Sequence, residues 1–206
     1  MGYIVMKRIE LRTVPPQELC VKAAEAVLWL RAQRVPPMEV FGSLGASYAR
    51  HTIFKYGKAP HKFRGVAAAQ RYFNTAVAAV RRRRWTTNEI IADVSFEGEK
   101  VVLAQTDMDA SNFGVSPDGR AVIFDAATIQ ALPESLADYS LLRNTDFATA
   151  VSKDVFGDER ATRLASSNIA SLSEVRQQLF MGYSETLNLD EDGYPVPPRQ
   201  PRARIS

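Results

Sequence analysis

The chain is predicted to be a mainly helical α+β protein, and three observations carry that prediction. Two long segments, 17–34 and 65–83, repeat apolar residues at spacings of three and four, the period of a helix with one buried stripe. Short β-type runs cluster in two places, at residues 3–6 and 101–124. Within the second cluster stands Ser116-Pro117-Asp118-Gly119, where proline presets φ at the second turn position and glycine tolerates positive φ at the last. At 206 residues the chain is long enough for one full-sized domain with a real core, or for a domain plus a tail.

Taken in order, Tyr3-Ile4-Val5-Met6 reads as a strand, followed by charged Lys7 and Arg8 and a loop through Pro15-Pro16. The helix over 17–34 puts Leu19, Ala23, Ala26, Val27 and Leu30 on one face and ends at Pro36-Pro37. Residues 38–63 read as irregular and hold both histidines, His51 and His61. Neither has an acid at useful spacing, so packing or hydrogen bonding is the expected role of each. The helix over 65–83 aligns Val66, Ala69, Phe73, Ala76, Val77 and Val80. Val101-Val102-Leu103, Phe113-Gly114-Val115 and Ala121-Val122-Ile123-Phe124 then read as strands, the last two joined as a hairpin by the turn. Leu132-Pro133-Glu134-Ser135 opens a helix toward residue 152, and weaker helical periodicity covers 158–183. From Asn188 onward the composition is that of a disordered tail, so the expected organisation is one domain over 1–183 and a tail over 184–206.

The formal charge is +3, but three of the 26 basic residues are the tail's Arg199, Arg202 and Arg204; the remaining 23 match the 23 acids. A neutral body predicts no nucleic-acid partner, and the run Arg81–Arg84 suits the negative end of the helix it closes. One cysteine, Cys20, precludes an internal disulfide framework and is expected to be inert, and no Cys/His grouping has zinc spacing. An intracellular, cytoplasmic setting follows as the expectation. No apolar run approaches the ~20 residues of a membrane helix and the N-terminus lacks a signal-peptide layout, so no membrane partner is expected. Trp29 and Trp85 are read as core or interface aromatics.

Chemistry is suggested by the stretch "QTDMDASNFGV…GRAVIFD". Phosphoryl transfer from a nucleotide needs an acceptor for the attacking hydroxyl's proton and oxygen ligands that hold magnesium against the phosphates. Asp107, Asn112 five residues later, and Asp125 beyond a hairpin would supply these. The stretch resembles the catalytic loop and metal-binding strand of the aminoglycoside phosphotransferase and choline kinase group, relatives of the protein kinases. The opening "YIVMKRI" is similar to the family's strand and adenine-holding hinge. The text "AEAVLWLRAQRVPP…GSLGASYARHTIFKYGKAP…RYFN" resembles the linking helices of a fungal branch of the group. The resemblance spans roughly residues 3–183 and implies the large, C-terminal lobe of a protein-kinase-like fold. It implies Asp107 as catalytic base, Asn112 and Asp125 as magnesium ligands, and the backbone of Lys7 and Ile9 against the adenine of ATP.

The chain departs from the family's pattern at Gln105, which stands where the family has a histidine that holds the loop backbone by hydrogen bonds. A second departure is Asp109, an added acid beside Asp107 that is expected to act on it by like-charge repulsion. Only five residues precede Met6, so the small lobe, with its phosphate-covering loop and lysine, has no counterpart; Gly42-Ser43-Leu44-Gly45 is too sparse and misplaced to replace it. The expected function is therefore an ATP- and magnesium-dependent phosphotransferase-like domain for a small-molecule hydroxyl, inactive as this chain alone. The alternative is a non-catalytic remnant that serves as a helical binding module.

Overall fold

The computed structural model describes residues 9–45, 47–83, 91–142, 145–181 and 186–197. Helix α1 (Pro16–Ala32) begins with proline, whose missing N–H costs nothing in a first turn, and buries Ala23, Ala24, Ala26, Val27 and Leu30. It ends where Gln33 turns extended, its N–H closing on the carbonyl of Leu30. Helix α2 (Val66–Arg83) buries Ala68, Ala69, Tyr72, Phe73, Ala76, Val77 and Val80. The segment 38–63 between them has little regular structure, yet it supplies Phe41, Ile53, Phe54 and Phe63 to the core. Phe54 stacks on Phe73 at 5.9 Å, and Phe63 meets Tyr72 at 4.9 Å. Each such buried ring contributes roughly 2–3 kcal/mol of burial free energy, which holds the irregular backbone in place.

Two of the arginines that close α2 have partners. Arg81 donates to the carbonyl of Ile91 and pairs with Asp93 at 2.9 Å, and Arg83 donates to Gln178 at 2.9 Å. Trp29 is 62 % exposed and is no core residue. Strand 3–6, Lys7, Arg84 and Trp85 lie outside the described residues.

Strand β1 (Val101–Gln105) is followed by the hairpin of β2 (Phe113–Val115) and β3 (Ala121–Ile123). Its turn is the expected one: Gly119, at φ 79°, donates its N–H to the carbonyl of Ser116. A strand absent from the sequence reading, β4 (Ile129–Pro133), pairs antiparallel with β1, Leu103 opposite Ala131. Leu132 and Pro133 therefore end a strand, and the helix α3 (Glu134–Leu142) starts after them. The single helix expected to run toward 152 is also divided. Helix α4 (Asp146–Phe156) has its own N-cap, the Thr145 hydroxyl accepting from the N–H of Ala148 at 3.0 Å. Helices α5 (Arg160–Leu164) and α6 (Ser167–Met181) complete the helical part, with α6 against α2 and α4 against α1. The fold is thus α+β with two small antiparallel sheets.

A buried carboxylate ties three helices together. Asp138 of α3 pairs with Arg31 of α1 at 2.8 Å and with Arg163 of α5 at 2.7 Å, and both guanidiniums lie over the ring of Phe156. The contact to Arg163 is a hydrogen bond, whereas the one to Arg31 is a charge contact without hydrogen-bond geometry.

The tail expectation fails for residues 188–197. Asp190 accepts from the N–H groups of Asp192 and Tyr194, Leu189 is buried, and Leu189 bridges Pro195. Arg71 of α2 clasps the carbonyl of Asp192 at 2.8 and 2.6 Å and lies over the Tyr194 ring. No helix among the described residues is long and apolar enough to cross a membrane.

Candidate functional site

The loop after β1 is fixed by residues on either side of Asp107. Thr106 and Met108 are buried, while Asp107 between them is half-buried. The Thr106 hydroxyl lies 2.9 Å from both the Arg50 and Thr128 carbonyls, and its N–H donates to Thr128. On the other side, the carbonyl of Met108 accepts from the Thr145 hydroxyl at 2.9 Å, so the residue that caps α4 also holds this loop. Backbone held at successive residues leaves one conformation for the residue between them.

Asn112 and Asp107 are in direct contact. The Asn112 Nδ2 donates to the Asp107 backbone carbonyl and to Asp107 Oδ2, both at 3.0 Å. With its nitrogen so engaged, Asn112 turns Oδ1 away, and that oxygen accepts no hydrogen bond among the described residues. Asp125 is brought near by the hairpin. The N–H of Phe124 donates to the carbonyl of Asn112 at 2.8 Å, which sets Asp125 one residue beyond a bonded pair. Asp125 adopts the left-handed conformation, φ 51° and ψ 62°, which Asp tolerates better than most residues. Its carbonyl accepts from the N–H and hydroxyl of Thr128, and its exposed carboxylate has no hydrogen bond or ion pair among the described residues.

Gln105 explains itself in this geometry. It is buried; its Oε1 accepts from the N–H of Asp107 and its Nε2 donates to the carbonyl of Phe124, both at 3.2 Å. One amide thus links the backbone of Asp107 to the residue preceding Asp125, which is the backbone-holding role expected at this position. Asp109 has a different job from the expected one. Its carboxylate caps the short 3-10 turn Ala110–Asn112, accepting from the hydroxyl and the N–H of Ser111 at 2.6 and 2.9 Å. Those two bonds hold its pKa below the usual range, so it is a turn-forming anion.

Ile9 is 51 % exposed, and three residues later the N–H of Arg12 bonds the carbonyl of Val115 in β2. Leu11 lies so close over Gly114 that a Cβ there would meet it at 2.8 Å. The segment from Ile9 therefore approaches the hairpin that carries Asn112. Beside the hairpin, a groove of about 830 Å³ opens between α1 and β3, with Trp29 and Arg120 among its walls and Ile123 and Ile129, which bracket Asp125, in its lining.

His51 is fully buried outside this site. Its Nδ1 accepts from the N–H of Ile53, which puts the proton on Nε2, 3.1 Å from the carbonyl of Leu136 and 2.9 Å from the Ser140 hydroxyl. Burial pulls its pKa down to about 4. Gly42, at φ 76°, has its carbonyl bonded to Ala131 of β4, and a Cβ there would meet Ala49 at 2.9 Å; its glycine is needed for packing. Among the described residues, no three or more His, Cys, Asp or Glu side chains are grouped to hold a metal. No protein-family model, no curated protein and no solved structure matches the chain.

Proposed function

We propose that residues 105–125 form the catalytic loop and metal strand of an aminoglycoside phosphotransferase-like domain, which acts with ATP and magnesium on the hydroxyl of a small molecule. The observation that carries the reading is the anchoring of Asn112 on Asp107 through nitrogen alone, which leaves one amide oxygen free beside a hairpin that ends in an unpaired carboxylate. Magnesium is a hard ion that takes oxygen ligands and keeps several waters, so one amide oxygen and one carboxylate suit it. Asn112 and Asp125 would hold the ion, which would supply charge neutralisation at the phosphates. Asp107 is half-buried, with its backbone pinned on both sides, and would accept the proton of the attacking hydroxyl. Gln105 would keep Asp107 and Asp125 in register by its two amide bonds. Lys7 and Ile9 remain the proposed backbone contacts of the adenine.

Positioning and electrostatic stabilisation supply nearly all the catalysis in phosphoryl transfer, and the 206 residues include no glycine-rich loop of the G-x-G-x-x-G kind. The chain alone is expected to bind Mn2+, used as a magnetic probe for Mg2+, to bind ATP weakly, and to show no turnover. Electron paramagnetic resonance would follow the bound Mn2+, and calorimetry the ATP. Asp125→Ala should weaken Mn2+ binding by about tenfold or more, as loss of one of two anchoring groups implies. Mn2+ binding indifferent to Asp125→Ala, or ATP turnover that survives Asp107→Asn, would overturn this assignment of roles and leave the non-catalytic binding module.

A further inference from the structure

Between Val40 and Asn88 the chain carries ten lysines and arginines and no aspartate or glutamate. The fold balances only part of that charge. Arg64 takes Asp192 at 3.0 Å and Glu191 at 3.7 Å, and Arg81 takes Asp93. Arg50, Lys58 and Lys62 form no ion pair among the described residues. Glu39 and Glu191 share a shallow groove with Lys62, but neither pairs with it, and Glu191 is turned to Arg64.

These unpaired cations are gathered on one face by the backbone. Arg50 and Lys58 are direct partners in an antiparallel bridge, so their side chains leave the same side. Tyr48, two residues before Arg50, is placed on that side by its contact with Lys58. Its ring lies 4.0 Å from the Lys58 ammonium and 5.6 Å from that of Lys62. Two ammonium groups on one ring, with no carboxylate between them, repel each other until an anion arrives. The backbone that carries Arg50 is also tied to the candidate loop. The Arg50 carbonyl is the acceptor of the Thr106 hydroxyl at 2.9 Å, and Thr106 immediately precedes Asp107.

We infer that Tyr48, Arg50, Lys58 and Lys62 bind the anionic group of the acceptor, so that the hydroxyl presented to Asp107 belongs to a small phosphorylated compound. The proposal rests on the phosphotransfer reading for the role of Asp107, but the anion site itself does not depend on transfer. Lysine ammoniums bind phosphate as point charges, and Arg50 adds a fork that matches two phosphate oxygens. The Tyr48 ring holds the two ammoniums in place in the absence of ligand.

The test uses the full chain and glycerol 3-phosphate, glycerol and inorganic phosphate as probes, followed by calorimetry and by amide shifts of residues 48–62. Glycerol 3-phosphate is expected to bind, glycerol is not, and inorganic phosphate should bind several-fold more weakly than the ester. Lys58→Ala combined with Lys62→Ala should weaken glycerol 3-phosphate at least tenfold. Arg82→Ala, an exposed cation on the last turn of α2, should change it less than twofold. Both lysines leave the core untouched, and circular dichroism would verify the fold of the double variant. Equal losses in the double variant and in Arg82→Ala would mean general charge screening and overturn the site. Inorganic phosphate bound as tightly as the ester would overturn the acceptor assignment. Loss of Mn2+ binding with retention of the ester would leave the anion site standing and remove the phosphotransfer reading alone.

Discussion

His51 is a buried group whose charge state the fold dictates. The folded histidine takes up a proton only near pH 4, whereas an unfolded one does so near 6.5. Its contribution to stability is therefore complete above pH 6.5 and is lost as pH falls from 6.5 to 4. At 1.36 kcal/mol per unit the full loss is about 3 kcal/mol. Urea melts at pH 7.5 and 4.5 should show most of that difference, and His51→Gln should flatten it relative to the parent chain. Asp138 is the other buried group at a junction of helices, placed against Arg31 and Arg163. Asp138→Asn leaves the pair of guanidiniums facing each other over Phe156 and should cost about 3 kcal/mol or more in the same melts.

At the scale of elements, the segment 186–197 is held by the Arg71 guanidinium of α2 and by the N–H of Arg64 just before that helix. Gly193 packs tightly on α2: at φ 77°, a Cβ would come within 2.6 Å of the Ala68 carbonyl and 3.0 Å of the Arg71 Cβ. Gly193→Ala should lift the segment from α2, and limited proteolysis should then cut after the exposed Arg64, ahead of α2, well before it cuts the parent chain, with the remainder of the fold intact. The sequence could not announce this docking, because its composition is that of a tail and its partners lie more than a hundred residues away. The same limit hid β4. Ile129-Gln130-Ala131 is ambiguous alone and becomes a strand only against β1. By contrast α1, α2 and the hairpin were legible, since apolar period and turn residues are local properties. Within the candidate site, the contact of Asn112 with Asp107 and the bracing by Gln105 agree with their spacing. Thr106 and Thr145 gave no signal, because each acts through carbonyls of distant segments.

For the whole molecule, the near-neutral body concealed a one-sided distribution of charge. Ten cations in residues 40–88 are offset by acids elsewhere in the chain, so an average over the sequence reads zero while one face of the loop 48–62 remains positive. The shape of that loop also depends on late residues. The Arg50 N–H bonds Gln130, and His51 bonds Leu136 and Ser140, across separations of 80, 85 and 89 residues. During synthesis at about 5–20 residues per second, the loop would wait roughly 4–18 s between its own emergence and that of its partners. Its buried aromatics can collapse on α2 meanwhile, but the face that carries Arg50 and Lys58 takes form only when α3 has left the ribosome. The cationic face is thereby one of the last surfaces the growing chain completes.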